Sequence, residues 1–245
     1  LETVLDGIFL AGACQGPKDL AESLTAGSGA AAKVLALFAH ETITLDGLVA
    51  AVNEDICVGC GECAAACPFQ AMEMVGEGKK QKARVVTAAC KGCGVCAGAC
   101  PTGAVIPAGF TDDMIMAQID EALAVAPEQK ILAFCCNWCS YAGADFAGVS
   151  RLAYPPQVRI IRTLCAGRLH PKFILHAFKQ GAGQVLVSGC HPPGDCHYIS
   201  GNIRAQERLE KLWPKLAKKD IDPARLRLAW ISATEGRNFQ RVIED

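Results

Sequence analysis

Eight of the fifteen cysteines stand in two runs of identical spacing, Cys57-x2-Cys60-x2-Cys63-x3-Cys67 and Cys90-x2-Cys93-x2-Cys96-x3-Cys100, closed by Pro68 and Pro101. Thiolates bind iron. Three of them within one short loop can wrap a 4Fe–4S cube and offer a sulfur to each of three irons, and the interleaved Gly59, Gly61, Gly92 and Gly94 permit so tight a turn. The fourth iron needs a more distant thiolate, which in runs of this kind comes from the other run. The expected sets are therefore Cys57, Cys60, Cys63 and Cys100 for one cluster, and Cys90, Cys93, Cys96 and Cys67 for the other. Their chemistry is one-electron transfer. A zinc ribbon would leave the third thiol of each run without a use. A disulfide framework suits small secreted domains, not 245 residues of 51% hydrophobic composition lacking a secretory apolar segment. A reducing cytoplasm is the expected compartment.

The balance of 24 basic against 25 acidic residues argues against a nucleic-acid platform. The longest apolar stretches, around 30–39 and 131–136, are too short to span a bilayer, so any membrane association is expected to run through another subunit. The chain opens at Leu1, without a methionine and in what reads as a strand already under way, which predicts a processed or engineered chain or the visible part of something longer. Paired carboxylates, a Ser/His/Asp order and a phosphate-cradling glycine loop are all missing. No catalytic residue is expected, and no complete active site.

Four segments follow from the pattern. Residues 1–46 predict a strand over 7–12, a loop over 13–17 and a small-residue helix from about 28 to 40. Residues 47–110 are a ferredoxin-like domain with strands over 72–75 and 84–87. Lys79, Lys80, Lys82 and Arg84 between the ligand runs are expected on a solvated hairpin tip. Residues 111–129 read as a linking helix, with Thr111 as N-cap, Asp112 and Asp113 at the positive end of the dipole, Ile115, Ile119 and Leu123 on one apolar face, and Pro127 as its end. Residues 130–245 alternate strands (130–134, 157–164, 184–188, 226–231) with helices (143–152, 171–180, 201–218), which predicts a doubly wound parallel α/β domain. Arg204, Arg208, Lys211, Lys215, Lys218 and Lys219 are expected on a solvated helix face.

Ligands of such sheets sit beyond the carboxyl ends of the strands. All six late cysteines fall there: Cys135, Cys136 and Cys139 after the first strand, Cys165 at the end of the second, Cys190 and Cys196 after the third. A metal site accounts for this grouping better than packing does. A tetrahedral zinc or a 2Fe–2S cluster needs four of the six, and thiol exchange at Cys136-Asn137-Trp138-Cys139 is the rival use. His191, Asp195 and His197 crowd the same loop, as helix caps, as hydrogen-bond partners of sulfur or, in the sharper reading, as a ligand. Arg168 is read either as an electrostatic partner of a reduced cluster or as a helix cap.

The strings Cys136-Asn137-Trp138-Cys139-Ser140-Tyr141-Ala142-Gly143-Ala144-Asp145, Tyr154-Pro155-Pro156, Cys165-x-Gly167-Arg168, Gly189-Cys190-His191-Pro192, Gly194-Asp195-Cys196-His197-Tyr198 and Gly201-Asn202 resemble the delta subunit of the F420-non-reducing hydrogenase. A departure is the doubled Pro192-Pro193, which lengthens that loop by a residue. The resemblance implies a 2Fe–2S cluster held by four of Cys136, Cys139, Cys165, Cys190 and Cys196, with Cys135 outside the set. It also implies delivery of electrons from a hydrogenase or formate dehydrogenase to the A-type subunit of heterodisulfide reductase.

Thr3, Gly7-Ile8-Phe9 and Ala11-Gly12 are similar to the last flavin-binding segment of thioredoxin-reductase-like flavoproteins. Ala13-Cys14 replaces their usual aspartate, in a form similar to the A-type subunit of heterodisulfide reductase. The resemblance implies FAD contacts from Gly12, Ala13, Cys14 and Gln15, where Cys14 would tune the flavin. Because the G-x-G-x-x-G fingerprint is missing, most of the FAD site is expected outside these residues. Together the resemblances imply the tail of a flavin domain, a 2(4Fe–4S) ferredoxin domain and a hydrogenase-delta-like domain in one chain. They further imply a cytoplasmic, multi-subunit complex of anaerobic methanogenesis with B- and C-type heterodisulfide reductase subunits, ferredoxin and flavin-based electron bifurcation. The alternatives are the similar fused subunit of quinone-interacting membrane-bound oxidoreductases, and an iron–sulfur or zinc scaffold or redox sensor.

Overall fold

The computed structural model describes residues 7–40, 42 and 47–245. Contacts divide the chain into two units, Leu1–Asp46 and Gly47–Asp245. In the first, a 3-10 turn over Gly12–Gln15 precedes helix α1, Leu20–Phe38. This helix begins well before the expected residue 28 because Asp19 and Glu22 form a capping box. Asp19 Oδ1 accepts the Glu22 N–H at 2.7 Å, and Glu22 Oε2 accepts the Asp19 N–H at 3.0 Å. The strand expected over 7–12 is not formed; among the described residues only Phe9 pairs, as an isolated bridge. Thr3 lies outside the described residues.

The second unit opens with β1 (Ala50–Val52), α2 (Glu62–Ala66), β2 (Met72–Val75), β3 (Lys82–Val85), α3 (Val95–Ala99) and β4 (Val105–Pro107). β1 pairs with β4 and β2 with β3, both antiparallel, so that two short ribbons flank two five-residue helices. β3 ends two residues before the expected 87 because Thr87–Ala89 tighten into a 3-10 turn. Its core is made of small residues and the ligand-run cysteines themselves, among them Ala50, Cys63, Ala83, Cys96, Cys100 and Val105.

Helix α4 (Asp112–Ala122) follows, capped by Thr111 Oγ1, which accepts the Met114 N–H at 3.2 Å. The linking helix also packs into a core. Ile115, Ile119 and Leu123 are buried against the parallel sheet with Phe173, Leu209 and Leu212. The remaining elements are β5 (Ile131–Cys136), α5 (Ser140–Val149), β6 (Val158–Thr163), α6 (Pro171–Lys179), β7 (Gln184–Gly189), α7 (Gly201–Ala217), β8 (Leu226–Trp230) and α8 (Gly236–Glu244). The sheet is parallel throughout, in the order β6-β5-β7-β8. Strand alternation sorts its two faces. Leu132, Phe134, Val185 and Val187 meet α4, α6 and α7, while Ala133, Cys135 and Leu186 meet α5 and α8. Helix α8 was not expected from the sequence, although Phe239 and Ile243, both buried, stand four apart as one helical face requires.

Candidate metal centres

The two ligand runs fold alike. Gly61 and Gly94, at φ 79° and 74°, start α2 and α3, which place Cys63 and Cys96 in their first turns. Each helix then stops at the last cysteine of its run. Cys67 and Cys100 turn to extended backbone because the following proline disfavours helical geometry in the residue before it. That step carries each fourth thiol away from its own helix. One pocket is lined by Cys57, Cys60, Cys63 and Cys100, together with Met74, Thr102, Ala104 and Val105. Cys67 instead lies within electrostatic reach of Cys93 and Cys96.

The sulfurs are surrounded by donors suited to thiolates. The Ala71 N–H donates to Cys67 Sγ at 3.4 Å, and the Thr102 hydroxyl lies 3.7 Å from Cys100 Sγ. Burial would raise the Cys100 thiol, but Thr102 and the backbone N–H groups of Val105, Thr102 and Ala104 outweigh it and hold the pKa below its ordinary value. Cys93 and Cys96 are pushed up to about 12, chiefly by burial and further by their thiol neighbours. Lys82 is not a solvated tip residue: its Nζ donates to the carbonyls of Glu54 at 2.8 Å and Cys57 at 2.5 Å, pinning the first loop.

Strand β5 lies between β6 and β7, so the chain leaves it on one side and returns on the other; ligands of parallel sheets bind at such a reversal. Cys136 ends β5 and Cys190 follows β7, and their Sγ atoms are 3.9 Å apart. Cys165 lies against Cys136 and Cys196, and Cys190 against Cys136, Cys139 and Cys196. Four thiols thus close a ring, 136-165-196-190, with Cys139 at its rim. Hydrogen bonds from Cys165 and Cys190 pull the Cys136 thiol far down, while the donors themselves are pushed up. Cys135 points to the other face of the sheet, fully buried, where Ser188 Oγ donates to its sulfur at 3.4 Å.

The polypeptide holds this ring from several sides. Ser140 Oγ accepts the Cys136 N–H at 2.8 Å and donates to the Ser188 carbonyl at 3.1 Å. Asn202 donates to the carbonyls of Cys190 and His191, at 3.1 and 3.2 Å. Gly201 packs so tightly that a β-carbon there would collide with Cys165 Sγ. Trp138 stacks on His197 with ring centroids 3.8 Å apart and donates from Nε1 to the Tyr198 hydroxyl at 3.0 Å. His191 engages Glu235 at 2.7 Å, and Asp195 is exposed. The aromatic shield of Trp138 and Tyr198 was not anticipated as such, although both residues lie within the strings that resemble the delta subunit. Among the described residues no three His, Cys, Asp or Glu side chains converge so as to hold a single metal ion.

Cys93, Val95, Cys165, Cys196 and Tyr198 belong to one buried cluster, so the second ligand run abuts the late thiol ring. Arg208 ties the two, contrary to its expected solvated position. Its Nη2 donates to Val95 O at 3.2 Å, and its Nη1 to Gly167 O at 2.5 Å and Leu169 O at 3.2 Å. Arg168 is buried and bound to Asp112 instead of capping a helix. In the first unit, Gly12–Gln15 form their exposed turn, where Cys14 Sγ donates to the Ala11 carbonyl at 3.0 Å.

Residues 131–245 match the family described as methyl-viologen-reducing hydrogenase, delta subunit, and residues 50–107 match the 4Fe–4S dicluster domain. The whole chain is 42% identical to the A-type subunit of ferredoxin:CoB-CoM heterodisulfide reductase from Methanosarcina mazei and spans 30% of that protein's length. The same identity and coverage hold for the ferredoxin/F420H2-dependent counterpart of Methanosarcina acetivorans. Over 118 residues, 48% of this chain and 81% of the relative, it is 53% identical to the D-type iron-sulfur subunit of the vhc F420-non-reducing hydrogenase from Methanococcus voltae. The chain belongs to the hydrogenase delta-subunit family, joined behind a 4Fe–4S dicluster domain in the arrangement of the C-terminal part of the A-type heterodisulfide reductase subunit.

Proposed function

We propose that this chain carries electrons between a hydrogenase or formate dehydrogenase partner and a flavin within a heterodisulfide-reductase-type complex that includes B- and C-type subunits and ferredoxin. The observation that carries the reading is the shared burial of Cys93 with Cys165 and Cys196, which packs the second ligand run directly against the late thiols. When bound, two 4Fe–4S clusters and one 2Fe–2S cluster would supply one-electron carriers to these sites. Cys57, Cys60, Cys63 and Cys100 would hold one cube, and Cys90, Cys93, Cys96 and Cys67 the other. Cys136, Cys165, Cys190 and Cys196, the four mutual neighbours, would hold the two-iron group, with Cys139 beside it. Trp138, Tyr198 and Phe69 pack around the space between them.

The FAD would be held mostly by residues outside this sequence, with Gly12, Ala13, Cys14 and Gln15 at one edge. The exposed Leu20, Leu24, Leu35 and Phe38 of α1, an apolar helix with only Ala26 buried, support a larger flavin domain around this segment. No helix among the described residues is long and apolar enough to cross a membrane. Anaerobic preparation followed by iron, sulfide and zinc analysis tests the reading: about ten irons per chain are expected from two four-iron groups and one two-iron group. Stoichiometric zinc at the late thiols would overturn it.

A further inference from the structure

Arg168 is the largest wholly buried side chain among the described residues, at 0% exposure, and it carries a cationic guanidinium with five N–H donors and no acceptor. Its compensation is incomplete. Nη2 donates to Asp112 Oδ1 at 2.6 Å and to the Phe110 carbonyl at 3.1 Å, while Lys172 claims the other oxygen of the same carboxylate. Arg208 and His170 lie within electrostatic reach, and Arg168 Nη1 is buried with no hydrogen-bond partner among the described residues. Two cations therefore share one carboxylate, and the wholly buried one, Arg168, keeps a nitrogen without a partner among the described residues. A buried charge so incompletely compensated is unfavourable unless a further anion stands close by.

The neighbour is the second ligand loop. The stem of Arg168 presses on Gly94, between Cys93 and Cys96, so closely that a β-carbon there would stand 2.6 Å from Cδ. A 4Fe–4S group with four thiolates is a net anion and gains one more negative charge on one-electron reduction. The first loop is served by Lys82, a part-exposed ammonium whose field water weakens.

We propose that Arg168, held by Asp112, is a positioning residue that raises the reduction potential of the site formed by Cys67, Cys90, Cys93 and Cys96 above that of the site formed by Cys57, Cys60, Cys63 and Cys100. This rests on the reading of those eight thiols as cluster ligands.

EPR-monitored redox titration of the anaerobically loaded full chain tests it, with the two signals assigned through Cys96→Ser and Cys63→Ser. Arg168→Met should lower the midpoint of the Cys96-dependent signal. The expected effect is on the order of tenfold in the reduced-to-oxidised ratio, as for a unit charge roughly 10 Å away at an effective dielectric of about 20, which is about 59 mV for one electron. Arg168→Lys should restore most of it. Asp112→Asn, which removes the counter-charge, should raise the same midpoint, and it carries the test alone if Arg168→Met does not fold. Opposite signs separate electrostatics from loosened packing, which would move both variants one way. Shifts of one sign, no shift, or a shift confined to the Cys63-dependent signal would overturn the proposal. Loss of both signals from the unaltered chain, with iron analysis blank, would instead remove the ligand reading beneath it.

Discussion

The Sγ atoms of Cys136 and Cys190 lie 3.9 Å apart where the strand order of the parallel sheet reverses, although 54 positions separate them in the chain. Two thiols suffice for disulfide exchange, but here four face one another. Cys190→Ser and Cys196→Ser should each abolish the two-iron signal and stop donor-dependent reduction, while both four-iron groups remain reducible by dithionite. A variant that kept donor-dependent reduction would move the electron-acceptor role away from these thiols.

Cys100 lines one pocket with Cys57, Cys60 and Cys63, the first three cysteines of the other run. Cys100→Ser should therefore perturb the EPR signal that depends on Cys63 and spare the one that depends on Cys96. The reverse pattern would show that each run holds its own cluster.

Two glycines test the packing around the late ring. Gly201→Ala would drive a methyl group into Cys165 Sγ, and we expect loss of the two-iron group with the four-iron signals intact. Gly98→Ala would collide with the Gly167 carbonyl and, at 2.5 Å, with Arg208 Nη1. It should cost about 1–3 kcal/mol, read by denaturant unfolding, because it wedges apart the contact that Arg208 ties. An unchanged midpoint would show that α3 and the turn at Gly167 are free to separate.

Burial alone would raise the Asp112 carboxyl, but hydrogen bonds from Lys172 and Arg168 prevail and hold its pKa below the usual value. A depressed carboxylate contributes stability above its unfolded pKa of about 3.9 and loses it as the pH falls through the folded value. The metal-free chain should therefore weaken toward acid from about pH 4 downward, and Asp112→Asn should flatten that slope. Equal slopes for both proteins in chemical denaturation would contradict this.

The cysteine spacing by itself determined the type of metal site and the pairing expected between runs, because thiolates, glycines and a terminal proline at fixed intervals allow few loop geometries. Alternating apolar runs likewise determined a parallel α/β domain, with strand limits within three residues of those observed. Two local signals, the Asp19–Glu22 capping box and the Phe239–Ile243 face, were legible in the sequence and mark the true start of α1 and the whole of α8, both of which the apolar pattern alone missed. Other features had no local signal. The basic pattern of α7 looked solvated, yet Arg208 spans to Val95 across 113 positions, and Arg168 became buried only because Asp112 and Gly94 were folded onto it. Spacing reports what neighbouring residues do together. Which charge is buried, which thiol closes a ring and which loop lies against which depend on contacts between distant segments, and those only the tertiary structure decided.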